Sequence, residues 1–75
     1  MAATHTIEDG CIDDGYGYRL HMRDGSTVTR KNWRHNRWSA LSDARHMGLS
    51  AGAWKYEILI GDALIQSGVL VKGDR

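Results

Sequence analysis

The chain has no proline, no phenylalanine and a single cysteine, Cys11, in 75 residues. One thiol excludes an internal disulfide framework and fits a reducing compartment. With phenylalanine absent, the aromatic burden falls on Trp33, Trp38, Trp54, Tyr16, Tyr18 and Tyr56. No apolar run approaches the length that crosses a bilayer, so no membrane partner is expected. Met1 to Gly10 has neither a basic start nor an apolar core, which argues against a secretory signal and for a cytoplasmic location. Cys11, His21, His35 and His46 lack the short paired spacing of a zinc site, so no metal is expected. His35-Asn36-Arg37 matches half of a histidine-asparagine nuclease motif, but the second histidine set is missing. Gly15-Tyr16-Gly17 has no helix predicted after it, so it is no phosphate cradle, and no cofactor is expected.

Catalytic groups are also wanting. Ser39, Ser42 and Ser50 stand where helix starts are predicted, and capping accounts for them. Asp13 and Asp14 are paired carboxylates in a segment that reads as mobile, whereas acid–base work needs groups held in place. The chain therefore reads as non-enzymatic. It is short enough to form one domain with a marginal core, burying roughly 60 % of its unfolded surface. Dimerisation or a larger partner would add stability.

What is present is an uneven charge distribution beneath a net charge of +1. Residues 1–18 carry Glu8, Asp9, Asp13 and Asp14 and no lysine or arginine. The middle of the chain carries Arg19, Arg23, Arg30, Lys31, Arg34, Arg37 and Arg45 against Asp24 and Asp43. The last third is balanced. Residues 1–15 read as a flexible acidic arm, with a short strand conceivable at Cys11-Ile12, and 16–75 as a single small domain. One reading of the arm is a cover for the basic block.

Tyr16, Tyr18, Leu20 and Met22 alternate with Gly17, Arg19 and His21, the period of a half-buried strand. Asp24-Gly25 marks a turn. A three-residue loop, Arg23-Asp24-Gly25, with Gly25 left-handed, sets Val28 opposite Leu20 and keeps the apolar residues together. One hairpin face then shows Tyr18, Leu20, Met22 and Val28, and the other Arg19, His21, Thr27 and Thr29. Residues 32–47 predict a helix, with Trp33, Arg37, Ala40, Leu41, Ala44 and Met47 near one stripe and Ser39 as an alternative start. Gly48 is expected to end it. Ser50 then opens a second helix whose stripe is Trp54, Ile58, Gly61, Leu64 and Ile65, closed by Gly68, with a short strand at Val69-Leu70-Val71.

Ala44, Gly48, Leu49 and Trp54 follow the small-residue, glycine and apolar spacing of a helix-turn-helix, and Ser42–Ser50 resembles that family of DNA-binding proteins. Glu57 stands where the family has an apolar residue, with Ile58 one position later. The run Asp62–Val71 is similar to the helix-to-strand step of winged-helix domains and to the ends of small phage and mobile-element proteins. The resemblance implies an α+β fold in which an N-terminal β-hairpin precedes two helices in a helix-turn-helix-like arrangement, with a short C-terminal strand. It implies a small DNA-binding or regulatory protein of phage or mobile-element type. Direct base reading by that second helix is limited, because Lys55 is the only cation at its front.

The basic block offers a second route to nucleic acid. Arg30, Lys31, Arg34 and Arg37 surround Trp33 and Trp38, so guanidinium groups would meet phosphates while the indoles stack on unpaired bases. Arg19 and Arg23 would extend that face, and Lys55 would sit near the groove. A solvated face with the tryptophans in the core explains the same residues. A basic belt equally suits an acidic surface on a host protein, where the chain would act as an inhibitor or adaptor. A third reading is a homodimer formed through a tryptophan-rich face.

Overall fold

The computed structural model describes residues 4–10, 12–13 and 15–70. Its elements are β1 (His5–Asp9), β2 (Tyr16–Met22), β3 (Thr27–Arg34), α1 (Arg37–Ala51), β4 (Ala53–Ile60) and β5 (Ala63–Val69). The β2–β3 hairpin has the register its apolar pattern demands. Leu20 lies opposite Val28, Gly25 is left-handed at φ 92°, and Met22 N–H bonds to Ser26 C=O at 2.9 Å across the three-residue loop. The Asp24 carboxylate accepts from the Ser26 N–H and hydroxyl, which fixes the turn.

The helix begins later than the expected residue 32. Asn36 is its N-cap, accepting from Ser39 N–H at 2.8 Å, a cap worth about 1 kcal/mol. Asn32, left-handed at φ 59°, lies within β3. The helix also runs past Gly48 and stops at Gly52, whose left-handed backbone (φ 83°) returns its N–H to the carbonyls of Gly48 and Leu49.

Beyond Gly52 the expected second helix does not exist. Residues 53–69 instead form an antiparallel hairpin, β4–β5, turning at Gly61-Asp62, with Gly61 at φ 57°. The helix-turn-helix arrangement is thereby overturned. Gly48 is interior to α1, Leu49 is on the same helix, and Trp54 and Ile58 are on a strand. One helix and a five-stranded mixed sheet make up the α+β fold. His5–Asp9, placed in the acidic arm by the sequence, forms β1 and pairs in parallel with β3. Cys11 and Val71 lie outside the described residues, and Ile12 is in no strand.

The strand order is β1-β3-β2-β4-β5. Helix α1 packs on β2, β4 and the near part of β3, so only one sheet face is covered. Ala40, Ala44 and Gly48, four residues apart, form the buried line of the helix. Their small side chains let it settle on Tyr18, Leu20, Ala53, Ile58 and Leu70. None of the three tryptophans is in that core; each is exposed. The indoles therefore do not hold the layers together.

Candidate interaction surface

The cross-strand register separates the predicted basic residues. Arg30 lies opposite Tyr18 on the helix-covered face. Its Nε is 3.1 Å from the Glu8 carboxylate of β1, and its guanidinium lies 5.3 Å from the centre of the Trp33 ring. Lys31, one residue on, is paired with Asp62 of the β4–β5 turn. The hydrogen bond and charge of Asp62 hold the lysine above its ordinary value, and those of Lys31 hold the aspartate below its own. Arg34, at the end of β3, donates from Nε to Asp43 of α1 at 2.5 Å, and that carboxylate raises its basicity further.

Arg19 and Lys55 flank the centre of the uncovered face. Arg19 meets Glu57 at 3.5 Å and donates to the Thr29 hydroxyl at 3.1 Å. Glu57 also bonds His21 Nε2 at 2.7 Å. Burial pushes the Glu57 carboxyl up, but His21, Arg19 and Lys55 together outweigh burial and hold it below the ordinary carboxylate range. A cleft of about 330 Å³ beside this network is lined by His5, Ile7, Arg19, His21, Thr27 and Thr29. Lys55 sits over Trp54 at 6.0 Å. Arg23 is exposed in the β2–β3 hairpin loop.

The sequence thus placed six cations and two indoles in one patch, with Lys55 near a groove, and the fold distributes them over two faces and a loop. Arg30, Trp33 and Arg34 stay together around a cleft of about 280 Å³ that Tyr18 and Asp43 also line, and Arg37 and Trp38 stay side by side and open to solvent. The Arg37 guanidinium lies 5.1 Å from the centre of the Trp38 ring, and Trp38 is 69 % exposed.

Trp38 begins a surface the sequence did not suggest. With Leu41, Ser42, Arg45, His46 and Leu49 it lines an open groove of about 460 Å³ along the outward side of α1. Those positions recur at intervals of three and four, one stripe of a helix. The spacing was readable, but the expected turn at Gly48 cut the stripe in two. Asp43 is the only acid in α1 and is engaged by Arg34. Among the described residues, Arg37 and Arg45 have no carboxylate partner, so the stripe combines apolar area with positive charge.

No group of three or more histidine, cysteine, aspartate or glutamate side chains is poised to hold a metal ion among the described residues. No helix among them is long and apolar enough to cross a membrane. No protein-family model matches the chain, and comparison with curated proteins and with solved structures gives no match.

Proposed function

We propose that the protein is a small non-catalytic docking module that binds an acidic surface of another protein through the outward stripe of α1. The observation that carries this reading is Trp38, an exposed indole with Arg37 stacked on it, at the head of an apolar groove edged by Arg45 and His46. Tryptophan and arginine are the residues that most often dominate binding energy at protein interfaces. The unpaired cations supply charge complementarity to an acidic partner.

Docking on protein is favoured over contact with nucleic acid for an electrostatic reason. Phosphate binding draws on several cations acting together. Arg19, Arg30, Lys31 and Arg34 are each matched by a carboxylate. Arg37 and Arg45 share α1, Arg23 is in the β2–β3 loop and Lys55 in β4, which leaves few unpaired cations for a phosphate lattice on any one element.

The test is photo-crosslinking from position 42, an exposed groove residue, in cells that make the protein, followed by nuclease treatment. The expected product is a covalent adduct with one acidic protein. It should be lost when Arg37 and Arg45 are both changed to glutamate, with the far-ultraviolet circular dichroism unchanged. Trp38→Ala should weaken binding to that partner by about 2 kcal/mol or more. Adducts with nucleic acid alone, or a protein adduct indifferent to the charge reversal, would overturn the proposal.

A further inference from the structure

We infer that the cleft between the end of β3 and α1 binds a small organic carboxylate, gripped by the guanidinium groups of Arg30 and Arg34 beside the indole of Trp33. These side chains are not those of the α1 stripe, so the inference stands independently of the docking proposal. The cleft is created by an irregularity in β3. Tyr18 pairs with Arg30 and Tyr16 with Arg34, so Lys31, Asn32 and Trp33 together face Gly17. This is a bulge, and bulges re-aim side chains. Neighbours on a regular strand point to opposite faces, yet Trp33 and Arg34 line the same cleft.

The bulge is held from both sides. Among the described residues, Asn32 is the only one other than glycine with left-handed backbone. Its side chain donates to Asp9 at 2.7 Å, and Lys31 C=O accepts from Gly10 N–H at 2.7 Å. On the β2 side the bulge comes so close that a Cβ on Gly17 would overlap the Arg30 carbonyl. Backbone strain maintained by its surroundings clusters at ligand sites.

The chemistry of the wall names the ligand. Arg30 Nε–H is buried and has no hydrogen-bond acceptor. The Glu8 carboxylate is 3.1 Å from that nitrogen, but off the line of the N–H. Buried polar groups are ordinarily paired, so an orphan marks where an acceptor is missing. A carboxylate set along the Nε edge of Arg30 supplies it, after a side-chain adjustment of the kind common on binding. Arg34 gives its Nε to Asp43 and keeps its terminal amines. Guanidinium forks grip a carboxylate through two parallel bonds. Burial, opposed by the neighbouring Arg30, raises Tyr18 above the ordinary phenol value, so its O–H remains a donor. Two guanidiniums and one carboxylate line the cleft, an excess of one positive charge that matches a monoanion better than a phosphate dianion. Glu8 is outside that lining and 47 % exposed, where solvent screens it. Trp33 offers its half-exposed ring to the organic part of the ligand. A volume just below that of drug-sized pockets sets the ligand as a small one.

The test is proton–nitrogen NMR of the full chain titrated with sodium benzoate at constant ionic strength. The Nε–H signals of Arg30 and Arg34 and the indole N–H of Trp33 should shift together and saturate, with a Kd of about 1 mM, the scale a fragment reaches. The Trp38 and Trp54 indoles should not move. Arg30→Lys and Arg34→Lys keep the charge but lose the fork, and each should weaken binding about tenfold or more. Arg37→Lys and Trp38→Ala should leave it unchanged. Benzyl alcohol, with the ring but no charge, should not saturate these signals, and inorganic phosphate should bind more weakly than benzoate. Absence of saturable shifts at the three groups overturns the inference, as does affinity indifferent to both lysine variants. Equal binding of benzyl alcohol would reveal an apolar slot, and tighter binding of phosphate a phosphate site; either result rejects the assignment. Tighter binding of triglutamate through the same signals would place the carboxylate on a protein and reject a free small molecule. The wild-type titrations need no variant, so misfolding of a mutant cannot obscure the outcome.

Discussion

Glu57 is the side chain on which the uncovered sheet face is organised. Its carboxylate is 12 % exposed and serves His21 and Arg19 at once, while Arg19 also reaches Thr29. Removing the charge leaves two cationic or hydrogen-bonding neighbours with only a neutral amide oxygen to share as acceptor. Hydrogen bonds to charged groups contribute about 1.5–3 kcal/mol, so Glu57→Gln should lower unfolding free energy by about 1–3 kcal/mol in urea titrations at neutral pH. The carboxyl is held below its ordinary value in the fold, so the folded state binds fewer protons than the unfolded chain in that range. The stabilisation from this group is accordingly complete above its unfolded value near 4.5. It is lost as pH falls through the lower folded value. Glu57→Gln should flatten that part of the acid limb. Asp24 and Asp62, also depressed, should keep their share. A variant whose stability falls with acid as steeply as wild type would show that the His21–Glu57 pair is not a linked group. None of this was visible in the chain, because Glu57 was expected on a helix and its partners are 36 and 38 residues upstream.

At the level of elements, two glycines explain both the legible and the illegible parts of the fold. Gly48 looked like a helix stop because it follows an amphipathic run and precedes Leu49-Ser50, yet it is a contact residue. A Cβ there would press on Leu70 and come within 3.2 Å of Leu20. Gly52 ends the helix through its backbone, and the space around it is open. Both should lose stability on replacement by alanine, for different reasons. Gly48→Ala gains about 1 kcal/mol of helix propensity but overpacks the core at about 1–3 kcal/mol. A net loss near 1 kcal/mol is expected, relieved by adding Leu70→Ala's space. Gly52→Ala forces a side chain into left-handed backbone at about 1–2 kcal/mol, and Leu70→Ala should not relieve it. A double-mutant cycle measures the difference: coupling for Gly48, none for Gly52. The same ambiguity produced the missed hairpin. Trp54, Ile58, Gly61 and Leu64 fit a helical stripe, but Tyr56, Ile58 and Ile60 also alternate with Lys55 and Glu57 at the period of a strand. Gly61-Asp62 is a two-residue turn. Short windows satisfy both periods, and the aromatic and β-branched residues should have decided it. In the β2–β3 hairpin only one register kept Leu20 and Val28 on one face, so that pairing was readable. The basic patch was not, since adjacent strand residues such as Arg30 and Lys31 point to opposite faces.

For the molecule as a whole, the sheet is a broad layer with a helix on one side, 36 by 30 by 17 Å, and stability falls from its centre to its first strand. β2 lies between β3 and β4, beneath α1, and carries Tyr18 and Leu20 of the core. β1 is exposed along its whole length and packs on β3 alone. Its attachments beyond the ladder are polar and largely solvent-exposed: Glu8 to Arg30, Asp9 accepting from Asn32 at 2.7 Å, and His5 to the Thr27 hydroxyl. Solvated ion pairs contribute little, about 0–1 kcal/mol each. β1 should therefore detach without the rest unfolding, a local opening rather than a global one. Native-state hydrogen exchange measures this directly. The amides of β2 and β4 should exchange with the free energy and denaturant dependence of complete unfolding. Those of β1 should exchange at least about tenfold faster, a gap of 1.4 kcal/mol or more, with little dependence on denaturant. Detachment also separates Glu8 from Arg30, so raising the salt concentration should widen the gap by screening that pair. If β1 instead exchanges at the global rate, the acidic strand is an integral part of the cooperative unit, and Arg30 stays neutralised for as long as the protein is folded.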